Sequence, residues 1–232
     1  ADLVEDLISG LQGAGLPTRI RLSSLNPDGV TPALENLFRN YPGALCPQLH
    51  VPLQSGSDRI LQYMRRPYRV QDLFDLAGRL RAATPLFTLT TDIITGFPGE
   101  DECDFQETLD AVEHVRFAKV HAFPYSRRPF TPAADRKWQV PVNVARERVH
   151  RVLNLAESSG LAFSKEFIGR SVTIVSEKSS PGAVEGYSEY YLWTRARVPD
   201  GQVVEHDRFV EAVVENSAVE GDRVVLSGRV SI

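Results

Sequence analysis

The chain has 232 residues, 42% hydrophobic and 24% charged, with a net charge of −4, which suits one substantial core plus a small second domain. No apolar run approaches the roughly 20 residues that span a bilayer, and the opening ADLVEDLISG has acids where a secretory signal needs bases. Its two cysteines, Cys46 and Cys103, lack metal-ligand spacing and suit a reducing compartment, so the expected location is the cytoplasm, without membrane contact.

In chain order, the first segment reads as a helix with Leu3, Val4, Leu7, Ile8 and Leu11 on one face, ended by Gly13, Gly15 and Pro17. TRIRLSS follows as a short strand finishing at Ser23 and Ser24. A helix with Leu34, Leu37 and Phe38 leads to the strand LHVPL, which ends at Gln54, Ser55 and Gly56. A further helix carries Val70, Leu73, Phe74, Ala77 and Leu80. The strand FTLTTDIIT enters the turn GFPGE, and a helix with Phe105, Leu109 and Val112 comes next. AKVHAF is the fourth strand and opens a proline-rich loop. A long helix then carries Val149, Val152, Leu153, Ala156 and Phe163.

This alternation predicts parallel strands with helical crossovers. Four βα units are too few to close a barrel of eight, so the expectation is a partial (β/α) barrel over residues 1–167. The TRIRLSS strand would be left as an open edge. That predicts an excised piece whose earlier strands are missing. From residue 168 the pattern shortens to β-branched runs separated by Gly, Pro, Asp or Asn, which predicts a small all-β barrel over residues 168–232.

Ligands of parallel α/β sheets bind at the carboxyl ends of the strands. Those ends offer Ser23 and Ser24, then Gln54, Ser55 and Gly56, then residues 96–100, then Pro124, Tyr125 and Ser126. They are hydrogen-bonding groups without a nucleophile–base pair, which points to chemistry carried by a cofactor. Gly96 and Gly99 let backbone approach a ligand, while Glu100, Asp101, Glu102 and Asp104 are expected to repel a phosphate. A neutral or zwitterionic ligand is therefore expected there. His50 and His121 read as satisfied interior groups of their strands.

Charge is uneven along the chain. Residues 116–151 carry nine Lys/Arg against two Asp/Glu, whereas residues 168–232 have a net charge of −3. The basic stretch, with Arg127 and Arg128, is a candidate polyanion contact.

Together these strand ends resemble the radical S-adenosylmethionine methylthiotransferases. RIRLSSLNP is similar to the family's strand ending in paired serines, and CPQLHVPLQSGSDRILQYMRRPY to a long signature. TDIITGFPGEDECDFQETL resembles the segment that contacts the adenine of S-adenosylmethionine. HAFPYSRRPFTPAA resembles the loop closing the radical domain, with Phe130 standing where the family pattern has glycine. FIGRSVTI and VEGYSEYYL resemble the C-terminal TRAM module.

The resemblance implies a partial TIM-like barrel followed by a TRAM barrel, with tRNA as substrate. It implies S-adenosylmethionine and two 4Fe-4S clusters in the full-length protein. The family's CxxxCxxC loop is absent here, so no cluster, and no methylthiolation by this chain alone, is expected. Gly96, Phe97 and Ile94 are expected around adenine, with Ser23, Ser24, Gln54 and Ser55 toward ribose or methionine. Arg127 and Arg128 are expected on RNA. The FPYSRR loop resembles the branch that methylthiolates N6-threonylcarbamoyladenosine beside the anticodon. The alternatives are the isopentenyladenosine branch, the ribosomal-protein branch, or a non-catalytic RNA-binding module. The sequence names no sulfur donor.

Overall fold

The computed structural model describes residues 1–15, 17–199, 202–221 and 223–231. Its first part contains α1 (Asp2–Gly13), α2 (Pro32–Asn40), β1 (Gln48–His50), α3 (Asp58–Tyr63), α4 (Val70–Ala83), β2 (Thr88–Thr95), α5 (Glu102–Val115), β3 (Lys119–Pro124) and α6 (Val142–Ser164). Strands β1, β2 and β3 are neighbours in that order and run parallel. The predicted helices form where apolar spacing placed them, and their ends carry the expected chemistry. Thr31 caps α2 by accepting from the Leu34 N–H at 3.3 Å, with Pro32 in the first turn. Asp101 and Asp104 cap α5 reciprocally.

One face of β2 buries Leu89, Thr91 and Ile93 toward the helices. A single cluster joins Leu89 and Ile93 with Phe87, Phe105 and Phe117, each at most 1% exposed. Burying each such ring is worth roughly 1.5–3 kcal/mol. Of the apolar face of α1, only Ile8 is buried, and Leu3 and Leu7 stay exposed.

Three local expectations change. TRIRLSS is not a continuous strand but makes two isolated parallel bridges, Ile20 to Leu45 and Ser24 to His50. Four residues on one side face five on the other, so the register slips by one and no ladder propagates. LHVPL stops as a strand at His50, and Pro52, which has no N–H, cannot extend the ladder. The short helix α3 lies in a stretch that the apolar pattern left without an element.

The second part contains β4 (Ser171–Val175), β5 (Lys178–Ser180), β6 (Ala183–Tyr187), β7 (Trp193–Arg197), β8 (Phe209–Glu220) and β9 (Arg223–Val230). They form a six-stranded curled sheet in the order β4-β8-β9-β7-β6-β5. An isolated antiparallel bridge from Ile174 to Ser188 ties its first strand back toward β6. At Gly186 a Cβ would lie 1.7 Å from the Val175 carbonyl oxygen. Gly186→Ala must therefore push these segments apart, and is expected to cost about 1–3 kcal/mol in a urea-unfolding measurement.

This sheet has its own core, in which Phe163 and Phe167 join Val172, Ile174 and Val214. It docks against the starting ends of the parallel strands. The Arg21 guanidinium donates to the Ser188 and Glu189 carbonyls at 2.9 and 3.3 Å. The Thr88 hydroxyl donates to the Tyr190 carbonyl at 2.6 Å.

Candidate cofactor site at the carboxyl edge of the sheet

Parallel pairing brings the carboxyl ends of β1, β2 and β3 to one edge. Gln54, at φ 66, donates its N–H to the Asp92 carbonyl at 2.8 Å and accepts from the Ile94 N–H at 2.9 Å. The Tyr125 N–H donates to the Thr95 carbonyl at 2.8 Å, and the Phe97 ring meets Tyr125 edge-on at 5.3 Å. Gln54, Ile94 and Phe97 are thus brought together. Gln54 and Phe97 are buried, Ile94 is half-buried, and Phe123 beside it is exposed. The Tyr125 hydroxyl is buried and has no hydrogen-bond partner. Leaving such a group unmade costs about 1–3 kcal/mol.

The GFPGE turn is closed from within. The Gly96 N–H donates to the Glu100 carboxylate at 2.5 Å and the Asp101 N–H to Asp104 at 2.9 Å. The Gly99 N–H donates to the Trp138 carbonyl at 2.8 Å and the Glu100 N–H to the Phe97 carbonyl at 2.9 Å. These four donors are unavailable to an anion.

The acids that follow do not act as free negative charge. Glu100 pairs with Arg148 at 2.7 Å, and Glu102 bridges Arg148 and Arg151 at 3.0 and 2.8 Å. Asp104 binds Arg59 and the Ser57 hydroxyl. The acid repulsion expected against phosphate is therefore reduced by these pairings, and the backbone donors of the turn are already occupied. Burial pushes the Glu100 carboxyl above the usual range, while the Gly96 N–H and Arg148 pull it back. Burial also raises Asp104, but the Arg59, Asp101 and Ser57 hydrogen bonds outweigh it and hold that carboxyl low.

Gly96 has φ 72, and a Cβ there would stand 2.4 Å from the Ala145 Cβ of α6. Its role in the fold is close packing of the β2 end against α6, reinforced by the Thr95 hydroxyl donating to the Ala145 carbonyl at 2.8 Å. Ser55 is fully buried, and its hydroxyl accepts from the Ser57 N–H at 3.2 Å and lies 3.5 Å from Thr108. Ser23 and Ser24 are exposed. Ser24 pairs beside His50, four residues before Gln54, so the structure does not bring the serine pair level with Ile94.

The basic stretch is also less basic than its composition. Arg116 pairs with Glu166, and Arg148 and Arg151 pair with Glu100, Glu102 and Glu147. Arg127 and Arg128 are exposed and enter no ion pair among the described residues.

Sequence reasoning missed the polar inner face of the sheet. His50 lies 3.0 Å from the Thr90 hydroxyl through Nδ1 and 3.2 Å from Asp92 through Nε2. Its ring is 6.3 Å from His121. Burial lowers the His121 pKa, and Lys119 adds to the effect. The signal was present as the period-two set Thr90, Asp92 and Ile94. His50 is satisfied internally as expected, whereas among the described residues His121 makes only the ring contact with His50.

An iron–sulfur cluster does not fit the residues present. Cys46 is buried, Cys103 is exposed, and the described residues hold no group of three or more potential metal ligands. No helix among the described residues is long and apolar enough to cross a membrane.

Residues 3–112 match the radical SAM superfamily. The chain is 41% identical over 175 residues to the threonylcarbamoyladenosine tRNA methylthiotransferase MtaB of Thermotoga maritima, covering 75% of this chain and 40% of that protein. It is 46% identical over 162 residues to the tRNA-2-methylthio-N(6)-dimethylallyladenosine synthase of Nocardia farcinica, covering 70% and 32%. It thus spans about a third to two fifths of the length of these relatives. Among solved structures, coproporphyrinogen III oxidase (HemN) from Escherichia coli aligns with TM-score 0.51 and 18% identity, over 68% of this chain and 37% of that one. That likeness bears on the fold alone.

Proposed function

Because the chain belongs to the radical S-adenosylmethionine methylthiotransferase family, we propose that it forms the cofactor-holding and RNA-contacting part of a cytoplasmic tRNA methylthiotransferase. Residues 1–167 are the partial radical domain and residues 168–232 a TRAM domain. The observation that carries the cofactor reading is the buried, unpartnered Tyr125 hydroxyl beside Phe97, where Gln54 and Ile94 converge.

Ile94 and Phe97 offer apolar contact to adenine, and Gly96 lets the chain turn tightly beneath it. The Tyr125 hydroxyl and the Gln54 amide are placed for ribose or the methionine portion. Ser55 contributes by holding this loop to Thr108, and Ser23 and Ser24 serve a part of the ligand nearer His50. Bound S-adenosylmethionine supplies radical chemistry when an iron–sulfur cluster accompanies it, and the two cysteines here cannot hold one. The chain alone is therefore expected to lack methylthiolation activity, and its own residues bind and orient.

The substrate proposed is N6-threonylcarbamoyladenosine beside the anticodon, supported by the 41% identity over 175 residues to MtaB. The dimethylallyladenosine branch is the second reading, favoured by the higher identity to the Nocardia protein. Titrating anticodon stem-loops that carry each nucleoside separates the two by which one binds more tightly.

Calorimetric titration of S-adenosylmethionine tests the cofactor edge. Tyr125→Phe is expected to weaken binding by about threefold to tenfold with unchanged circular dichroism. Equal affinity in the two proteins would remove the hydroxyl from the site.

A further inference from the structure

The cofactor reading leaves one aromatic side chain unused. In the turn at residues 128–131, Pro129 precedes Phe130, which has φ 64. That is the position where a type II turn calls for glycine or asparagine, because a Cβ crowds the backbone at positive φ. The Phe130 side chain is also fully exposed, at 102%. The fold therefore bears a strained backbone at Phe130 and gains no burial from its ring.

The loop is nevertheless well tied. The Thr131 hydroxyl donates to the Arg128 carbonyl at 2.8 Å and the Ala134 N–H to the Thr131 carbonyl at 2.9 Å. The Gln139 amide donates to the Ala133 and Arg136 carbonyls at 3.0 and 2.9 Å. The Trp138 carbonyl accepts from Gly99 of the GFPGE turn. Phe130 is therefore displayed from an anchored turn. Arg127, Arg128 and Lys137 on the same loop have no ion-pair partner among the described residues, and Asp135 is its one acid.

We propose that Phe130 is a stacking platform for an unpaired base of the RNA substrate, with Arg127 and Arg128 meeting the adjoining phosphates. This rests on the tRNA reading above and deepens it. An outward ring beside unpaired cations suits single-stranded nucleic acid, in which each base offers a π-face and each linkage a charge. Bases within a duplex are stacked on their neighbours and offer no such face.

The test uses the protein with an anticodon stem-loop RNA carrying 2-aminopurine in its loop, and with a fully paired duplex of the same length. Phe130→Gly and Phe130→Asn both suit the positive φ, so both are expected to raise the midpoint of thermal unfolding. Both are expected to weaken stem-loop binding by about fivefold to a hundredfold while leaving duplex binding unchanged. Phe130→Trp is expected to keep the affinity and the 2-aminopurine quenching. Unchanged stem-loop affinity in the Gly and Asn variants overturns the role of Phe130, as does an equal loss on the duplex. Failure of the wild-type protein to bind either RNA overturns the tRNA reading itself, and this inference with it.

Discussion

Gly96→Ala is expected to destabilise the protein by about 2–5 kcal/mol, the sum of overpacking and of a side chain forced to positive φ. The added Cβ would meet the Ala145 Cβ at 2.4 Å and the Ala145 Cα at 3.2 Å, so the obstacle is backbone of α6 and not the tip of a flexible side chain. Relief requires α6 to move from the β2 end, which also lengthens the Thr95-to-Ala145 hydrogen bond. Urea unfolding followed by circular dichroism measures the loss. A midpoint within error of wild type would show that α6 is not held at this distance. The same substitution loosens the edge that carries Ile94 and Phe97, so weaker S-adenosylmethionine binding should accompany the stability loss.

Glu100→Gln is expected to cost about 3–5 kcal/mol, because it leaves the Arg148 guanidinium buried without its principal counter-charge. Arg148 is 5% exposed, and its second partner, Glu102, has a largely exposed side chain. The pair is also imperfectly satisfied, since one Glu100 carboxylate oxygen and the Arg148 Nε lack partners. For that reason the double substitution Glu100→Gln, Arg148→Met should recover part of the loss, because it removes the buried guanidinium charge left without its counter-charge. The double-mutant cycle checks this through the coupling between the two positions. Additive losses would mean that the two side chains act independently despite their 2.7 Å contact.

Much of the fold was legible because it follows from periodicity. Leu34, Leu37 and Phe38, and Phe105 and Val112, lie on the buried sides of α2 and α5, as their spacing predicts. The run FTLTTDIIT forms β2, starting at its threonine. The failures occur where one residue of offset decides. TRIRLSS has the composition of a strand, but a register slip against residues 45–50 reduces it to two bridges.

The candidate edge was legible in outline, since parallel strands share one end. Its satisfaction was not. The acids after GFPGE read as free charge because Arg59 precedes them by some forty residues and Arg148 and Arg151 follow by nearly fifty. No local pattern reports that closure. The unpaired Tyr125 hydroxyl likewise emerges only from what fails to approach it.

The docking of the curled sheet sets a reach requirement. That sheet holds Thr88 at one end of β2 through the Tyr190 carbonyl, while the Tyr125 and Phe97 edge begins at Thr95. Seven residues of strand separate those anchors, or roughly 23 Å. A free nucleoside is too short to touch both. On the proposed reading, an RNA that meets both the cofactor edge and the curled sheet must cover that length over the surface, because β2 itself is buried between β1 and β3.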